Sequence, residues 1–306
     1  MNIIGHRKIY LTISAAIVVV GLFLIFNFGF KEGIDFKGGT LWQIKLDEST
    51  TTAEVEELFT AQIPEAGEIK VNTDITNDAF LIRFQPISEP DHQKFLSVIK
   101  AKYPTATELS FQSIGPSIGA QLKKNALIAV LLAIIAVSLY IAFAFRKVSR
   151  PISSWKYGIV TMATLLHDIV VPAGLIAYLG STTHGAEIDS NFVVALLVIM
   201  GFSVHDTIVV FDRIRENLLH NRGKMEFGET INQSVNQTMA RSINTSLTLI
   251  IVLLVMFFAG PVNLKYFILT LLVGVTTGVY SSIFVASPLL LIWQRFSERK
   301  TTPKRV

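Results

Sequence analysis

Long apolar runs dominate the chain and alternate with shorter polar stretches. Each run approaches or exceeds about 20 predominantly apolar residues, which is the length that a helix needs to cross a membrane. The first run follows basic residues but ends in bulky side chains without a small-residue cleavage site, so we interpret it as an uncleaved anchor. The pattern predicts a polytopic α-helical membrane protein with six transmembrane helices. The runs are 9–29, 125–145, 157–179, 191–212, 240–260 and 264–292.

The segment between the first two runs is patterned like a water-soluble domain. Four stretches alternate as strands. Helical spacing follows Ser49, Thr50 and Thr51, which are all possible N-cap residues, and again follows Ser88, which can also cap a helix. The order β-α-β-β-α-β predicts a small α+β ferredoxin-like domain. The segment has no catalytic or metal-ligand spacing, so we interpret it as a binding or force-transmitting module. The strand-like stretches are "GTLWQIKL", "GEIKVNTDI", "AFLIRFQ" and "TELSFQSI".

Composition and charge agree with this layout. The chain of 306 residues is 51% hydrophobic and 16% charged, with a mean hydropathy of +0.50, whereas a soluble protein has roughly 25% charged residues. A net charge of +4 would fit a nucleic-acid partner, but the basic residues occupy alternate loops, which is the positive-inside pattern. We therefore expect lipid and no nucleic acid, both termini in the cytoplasm, and the polar domain outside it.

These predictions divide the chain into four parts. Residues 1–30 form the cytoplasmic N-terminus and the first span, and residues 31–122 form the extracytoplasmic domain. Residues 123–293 form a bundle of five helices, and residues 294–306 form a basic cytoplasmic tail. The chain has no cysteine, so no disulfide framework is expected.

The fourth run carries charge inside an apolar stretch. Ser203, Asp206 and Arg213 follow a helical spacing that places them on one face, and His205 lies beside the carboxylate. A carboxylate in the middle of a span costs about 2.5–3.5 kcal/mol on insertion scales, and such residues usually face a bundle interior and mark ion or proton routes. Asp206 is therefore a candidate ion-coupling residue, with His205 as its neighbour.

The third, fifth and sixth runs carry matching polar positions. Asp168 has His167 beside it and Pro172 four residues later, and a proline there removes the N–H that would bond the Asp168 carbonyl. Arg241 opens a polar stripe in the fifth run. The third to sixth spans are predicted to face one another around a polar seam, and a static hydrogen-bonded lock of the same residues remains the alternative. The other polar positions are Thr161, Thr164, Asn244, Thr245, Thr248, Thr270, Thr277 and Ser281.

Several stretches resemble one family over nearly the whole chain. They are similar to SecF, the smaller of the paired subunits of the SecD/SecF family of bacterial protein export, which is related in fold to the RND transporters. The resemblance implies an RND-like half-transporter bundle whose matching half belongs to a SecD partner. The stretches are "GIDFKGGT", "GPSIGAQL", "LLHDIVV", "GFSVHDTIVVFDRIREN" and "MARSINTSLTLIIVLL".

The resemblance also implies roles for particular residues. Asp206 matches the fourth-span carboxylate tied to ion flow, and Arg241 matches an arginine at the start of the fifth span, whereas His205 stands where the motif more often has asparagine. Together with Asp168 and His167 as a secondary polar cluster, these are the predicted ion-coupling residues. The remaining family-motif residues are Asp35, Gly38, Gly39, Asp212, Arg213, Arg215, Glu216 and Asn217.

A function follows from the resemblance as an expectation. The chain would act in the bacterial inner membrane with SecD, the SecYEG channel, accessory subunits and translocating preproteins. It would use the proton or sodium motive force, without enzymatic chemistry and without a cofactor other than the coupling ion, H⁺ or Na⁺. Two other classes stay open: a subunit of an RND-like exporter of small molecules, and a scaffold that stabilises the export channel without transporting ions.

Overall fold

The computed structural model describes residues 1–47, 49–74, 78–146, 152–183, 186–221 and 224–301. Most of these residues form helices, and one small sheet is present. In chain order the elements are α1 (Arg7–Phe28), α2 (Ile34–Lys37), β1 (Gly39–Lys45), α3 (Thr52–Gln62), β2 (Lys70–Asp74), β3 (Ala79–Phe84), α4 (Glu89–Lys102), β4 (Thr107–Ile114), α5 (Pro116–Ala144), α6 (Ser154–Thr182), α7 (Ser190–Asn221), α8 (Phe227–Ala259), α9 (Lys265–Ser281) and α10 (Ser287–Thr301).

Six helices in the described ranges are long and apolar enough to cross a membrane, which confirms the predicted spans. They are α1, α5, α6, α7, α8 and a continuous sixth span in which α9 and α10 are joined by a π-helical turn, Ser282–Ala286. The basic tail was predicted over 294–306, but α10 continues to Thr301, and the remainder lies outside the described residues.

The helices of the fourth and fifth spans are longer than the predicted apolar runs. The fourth run was predicted to end at residue 212, but α7 continues to Asn221, and α8 begins at Phe227 instead of near residue 240. The charged residues after 212 do not stop the helix because they pair with one another at i, i+3 spacing on its surface. An apolar run therefore marks the part of a helix that suits a membrane, and not the length of the helix.

The polar segment forms the predicted ferredoxin-like domain. Its four strands are antiparallel in the order β2-β3-β1-β4. Thr51 caps α3 with a complete capping box, and Ser88 caps α4, as their sequence positions predict. Both helices pack on one face of the sheet around Trp42, which is fully buried. The helix α5 begins at Pro116, inside the predicted 31–122 range, because proline suits the first turn of a helix.

The other face of the sheet looks toward the membrane helices. Leu41 pairs with Arg83 across β1 and β3, and both side chains point away from the core that holds Trp42, because neighbouring residues of a strand alternate between faces. These residues line a cavity of about 710 Å³ that also reaches the first residues of α7 and α9. Arg83 forms an ion pair with Glu187, just before α7. The domain is thus held against the end of the bundle at which α7 and α9 begin.

Three spans form the centre of the bundle. About half or more of the most apolar stretch of α6, α7 and the sixth span is buried, compared with 17% for α8 and 11% for α1. The prediction that spans three to six face one another therefore holds for three of them, whereas α8 lies at the side. Its stripe that begins at Arg241 is exposed, and the polar residues that it buries in this stretch include Ser242 and Ser246.

Candidate functional site

Asp168 joins three helices at the centre of the bundle. Its side chain is fully buried in α6, and one carboxylate oxygen accepts hydrogen bonds from Ser203 of α7 and from Ser281 of α9, the latter at 2.8 Å. The other oxygen lies 2.8 Å from Nδ1 of His167. A buried carboxylate needs such donors because it has lost its water. The cluster of Asp168, His167, Ser203 and Ser281, called the Asp168 cluster below, ties α6 to both neighbours.

Close helix packing brings the serines to Asp168. Gly274 and Gly278 of α9 face α7, and an added Cβ would lie 2.1 Å from Ile199 Cδ1 at the first and 3.2 Å from Ser203 Cβ at the second. The small-residue spacing of this stretch, G-x-x-x-G, thus allows the close approach for which it is known in membrane helices. Ser281 follows Gly278 by three residues, so it faces the same side and reaches Asp168.

A second hydroxyl link continues along α7. Ser282 opens the π-helical turn of the sixth span, and its hydroxyl donates to the Ser203 carbonyl at 3.2 Å and lies 3.1 Å from the Thr207 hydroxyl. Turns of this kind occur often at functional sites within helices. The hydroxyls therefore extend from the Asp168 cluster to Thr207, the residue that follows Asp206.

Asp206 lies one turn beyond Ser203 and faces a different neighbour. Its side chain is 6% exposed and accepts a hydrogen bond of 3.2 Å from Ser246 of α8. Its predicted partners His205 and Arg241 are both exposed, and no ion pair joins Arg241 to Asp206 among the described residues. Ser246 was not among the predicted site residues, although it follows Ser242 at helical spacing on the buried face of α8.

Arg241 lines an open cleft between α7 and α8. The cleft has a volume of about 360 Å³ and lies toward the end of the bundle away from the ferredoxin-like domain. Asp212, Arg213 and Glu216 also line it, and Arg213 pairs with Glu216. Arg213 is therefore separated from Asp206, with which it was predicted to share a face, because its side chain turns to partners near the helix surface.

The charged motif after Asp206 holds α7 and α8 together. Asn217 is buried and donates to Ser234 at 2.8 Å and to Gln237 at 2.9 Å, both on α8. Arg213 also donates to Gln237, and Arg215 pairs with Asp212 along the helix. The motif residues thus serve mainly to align the helix that carries Asp206 with the helix that carries Ser246.

The motif around Asp35 fixes the first residues of α7. The chain before α2 pairs with Ile188, whose carbonyl accepts from Gly33 at 2.9 Å. Asp35 then accepts from the Ser190 backbone N–H at 2.9 Å and from the Gln112 side chain at 3.3 Å. A carboxylate there satisfies a free N–H at the start of a helix. The motif thus connects the first span, the sheet and α7.

Gly38 and Gly39 occupy backbone conformations that suit glycine. Their φ angles are +82° and +139°, and a Cβ on Gly38 would lie 2.9 Å from Pro116 Cα at the start of α5. The positive φ angles and the close approach both make a side chain costly at this place. The pair therefore allows β1 to begin against α5.

Replacing Gly38 with alanine should lower the stability of the protein by about 1–3 kcal/mol, because strain in φ adds to the clash with Pro116. Thermal unfolding in detergent, followed by circular dichroism, measures the effect. Gly115→Ala is the matched control, since Gly115 has a φ of −67° and an added Cβ would meet no atom within 4 Å. Equal melting temperatures for the two variants would contradict this account of the motif.

Asp189 is a half-buried carboxylate that caps α7. It accepts from the Phe192 backbone N–H at 2.8 Å. Burial raises the pKa of Asp189; the Phe192 N–H acts in the opposite direction, and the negative charge of Asp35 raises it further. A raised pKa means that the folded protein binds this proton more tightly than the unfolded chain does. The stabilisation from protonation is complete at acid pH and is lost as the pH rises through the folded-state pKa.

Asp189→Asn should therefore unfold at a higher temperature than the wild type at pH 7–8, where the wild-type carboxylate carries a charge in a half-buried place. Asparagine keeps an oxygen for the Phe192 N–H and removes the charge. The difference should shrink as the pH falls toward about 4, near the ordinary pKa of aspartate. Glu57→Gln removes a negative charge from an exposed position and controls for net charge. An advantage that is the same at every pH would contradict the prediction.

The structure separates the predicted site residues into groups. Asp168 and His167 lie together in the Asp168 cluster, and Asp206 lies one turn of α7 away with Ser246. His205 and Arg241 are exposed on the side of the bundle. The family-motif residues lie at the two ends of α7: Asp35, Gly38 and Gly39 near its start, and Asp212, Arg213, Arg215, Glu216 and Asn217 near its end.

The chain is similar to known proteins over most of its length. Residues 94–296 match the family model for the C-terminal region of the protein export membrane proteins SecD/SecF, and residues 23–50 match that of the SecD/SecF GG motif. The protein translocase subunit SecF of Thermobaculum terrenum is 40% identical, across 96% of this chain and 94% of that protein. SecF of Anaerolinea thermophila is 37% identical, with the same shares covered.

A solved structure shares the fold. The crystal structure of SecDF from Thermus thermophilus, described as a translocon-associated membrane protein, matches with a TM-score of 0.78 and 30% identity. The match covers 96% of this chain and 39% of the SecDF chain. The family match, the six spans and the RND-like bundle with its small sheet agree with one another. The chain belongs to the SecD/SecF family of protein export membrane proteins.

Proposed function

We propose that this chain is a SecF-type subunit of the bacterial Sec export machinery, in which the movement of H⁺ or Na⁺ through the bundle promotes translocation of polypeptides. The observation that carries the proposal is the buried Asp206, which lies within an apolar helix and has a single hydroxyl neighbour from Ser246. A carboxylate in this setting can change its ionic state as an ion passes. Moving one charge through the membrane potential releases about 2.3 kcal/mol per 100 mV, enough over several steps to drive a conformational cycle.

Access from one side supports this role. The cleft between α7 and α8 is lined by Arg241 and by charged residues of the α7 motif, and its lining begins at Ile208, within one turn of Asp206 along α7. Arg241 is free of an ion pair among the described residues. An arginine at this place can attract the carboxylate when the ion has left and release it when the ion binds. We assign Arg241 this modulating role.

The exposed polar groups on the side of the bundle support a SecD partner. His205 and Arg241 are exposed on helices that suit a membrane, and Asn244, Thr245 and Thr248 are exposed beside them. Such groups are costly against lipid and usually face protein or a water-filled cavity. The similarity covers 38% of the length of SecDF from Thermus thermophilus, so in that protein a further region accompanies the part that is similar to this chain. SecD is the partner that fits this surface.

The export function itself is tested in cells that have been depleted of their own SecF. The chain is supplied together with a SecD subunit, and the translocation of a preprotein through SecYEG is followed with and without a membrane potential. Recovery of the potential-dependent part of export supports the proposal. Recovery that is independent of the potential would favour a scaffold, and no recovery with a SecD subunit that binds the chain would contradict an export role.

We further propose that the chain lies in the bacterial inner membrane with both termini in the cytoplasm and the ferredoxin-like domain outside. The chain has no cysteine, so single cysteines report cleanly. Glu57→Cys, exposed in α3, should react with a membrane-impermeant thiol reagent added from outside, and His220→Cys, exposed at the end of α7, should react after the membrane is opened. Labelling of both from the same side would overturn the proposed topology.

A further inference from the structure

Lys156 is a buried cation that is not paired with an acid. It lies in the first turn of α6 and is 5% exposed. Among the described residues no ion pair involves it, and no group accepts a hydrogen bond from its Nζ. Nζ instead lies 5.9 Å from the centroid of the Trp155 ring, at the limit of a cation–π contact. Because a buried charge is costly unless it is paired, an anion at this place would stabilise the start of α6.

The start of α6 adds to the positive charge of Lys156. The first N–H groups of a helix have no partner within the helix, and they carry the positive end of its dipole. The N-cap residue, Ser153, makes no side-chain hydrogen bond to them, and the first turn of this 29-residue helix holds no acidic residue. A lysine is unfavourable at this end of a helix, since basic residues suit the other end. One anion could interact favourably with both the helix end and Lys156.

The described side chains around Lys156 supply no acid. The sequence has no aspartate or glutamate between Glu108 and Asp168, and Asp168 lies roughly 18 Å further along α6 at the helical rise of about 1.5 Å per residue. The residue that follows the end of α5 is another cation, Arg146, which stacks on the Phe143 ring. The anion that suits this place therefore comes from another molecule.

Two tryptophans place the start of α6 at the surface of the membrane. Trp155 is 49% exposed, and its ring meets that of Trp293 in α10 edge to face, with centroids 5.5 Å apart. Tryptophan is enriched at the membrane–water interface, where lipid headgroups lie. Basic pockets between helices at this level suit the phosphates of lipid headgroups. The charged residues between α5 and α6 are all basic: Arg146, Lys147 and Arg150.

We propose that the start of α6 binds the phosphate group of an anionic phospholipid such as phosphatidylglycerol. The ammonium group of Lys156 and the first N–H groups of the helix hold the phosphate, and the Trp155 ring packs against the glycerol and acyl part of the same lipid. An anionic lipid fits better than a zwitterionic one, because a headgroup ammonium would find no described acid at this place. This lipid site goes beyond the proposed export function and does not depend on it.

Native mass spectrometry of the full chain in detergent with added lipids tests this. The wild type is expected to bind phosphatidylglycerol in preference to phosphatidylethanolamine. Lys156→Gln should weaken the binding of phosphatidylglycerol about tenfold or more, the effect of losing a hydrogen bond between charged groups. Lys8→Gln is the matched control, because Lys8 lies in the first turn of α1 at the same end of the bundle but is exposed. It should change the affinity by no more than about twofold.

A change at the N-cap keeps the result decisive if Lys156→Gln does not fold. Ser153→Asp supplies a carboxylate where the phosphate would bind, so the lipid-free protein should melt at a higher temperature and the preference for phosphatidylglycerol should be lost. Ser153→Asn adds a capping oxygen without a charge and should keep the preference.

Two results would overturn the proposal. The first is a preference for phosphatidylglycerol that both Lys156→Gln and Ser153→Asp retain in full, because the lipid would then bind elsewhere. The second concerns the source of the phosphate. Inorganic phosphate that raises the melting temperature of the lipid-free wild type as much as phosphatidylglycerol does would show a site for a free anion and not for a lipid.

Discussion

Replacing Asp168 with alanine should destabilise the membrane bundle by about 3–5 kcal/mol, the range seen when one partner of a buried charged network is removed. The change would leave the Ser203 and Ser281 hydroxyls and the His167 N–H without their shared acceptor, in a place where water does not reach. Each buried group left unpaired costs about 1–3 kcal/mol. Thermal unfolding in detergent, followed by circular dichroism and by size-exclusion chromatography, measures the loss.

Asp168→Asn is the matched variant. It keeps the size of the side chain and one acceptor oxygen, so it should lose less stability than Asp168→Ala. A second comparison adds Ser203→Ala and Ser281→Ala to Asp168→Ala. The added changes remove two of the donors that Asp168→Ala alone would leave unpaired. Wild-type stability of Asp168→Ala would contradict the claim that Asp168 stabilises the contact of α6 with α7 and α9. The free-energy cost of burying the carboxylate would then outweigh the free energy of the hydrogen bonds that it receives.

Asp206→Asn should abolish the part of export that depends on an ion gradient, while the protein folds and binds its partner as before. Asparagine has the same size and can still accept from Ser246, but it cannot change its charge when an ion arrives. Asp206 joins α7 to α8 through one hydroxyl, whereas Asp168 joins three helices, so we expect a small effect on stability and a large one on coupling.

The spans and the ferredoxin-like domain could be predicted from the sequence because both rest on local patterns. Runs of about 20 apolar residues identify membrane helices whatever packs beside them. In the domain, alternation put Trp42 and Ile82 on the core face and Leu41 and Arg83 on the other, and Thr51 and Ser88 capped their helices. These features depend on residues that lie near one another in the chain.

The faces of α8 could not be predicted in the same way. In a water-soluble protein the polar face of a helix is the exposed face, but in a membrane a polar face is expected to be buried. Hydroxyl residues lie on both sides of α8, so the stripe from Arg241 and the pair Ser242 and Ser246 are equally good candidates by that rule. The structure buries the serines and exposes Arg241. The choice depends on packing against α7 and α9, which helical spacing alone does not contain.

The partners of the two carboxylates show the same limit. The nearness of His167 to Asp168 follows from sequence adjacency, and Ser203 was placed on the face of Asp206 by helical spacing. In the structure Ser203 instead bonds to Asp168, because Gly278 lets α9 approach α7 and brings Ser281 to the same point. Which carboxylate a serine serves depends on the distance between helices, and that distance is set by residues elsewhere in the chain.

The central claim is that Asp206 couples an ion gradient to export. The most direct measurement compares wild type, Asp206→Asn and Asp212→Asn in inverted membrane vesicles that contain SecD and SecYEG, with preprotein translocation followed under an imposed H⁺ or Na⁺ gradient. Asp212 is exposed and pairs with Arg215 at the helix surface, so its variant controls for the loss of a carboxylate from α7. The account predicts that Asp206→Asn loses the gradient-dependent part of translocation and that Asp212→Asn keeps it. Full gradient-dependent translocation by Asp206→Asn, with loss in Asp168→Asn, would contradict it.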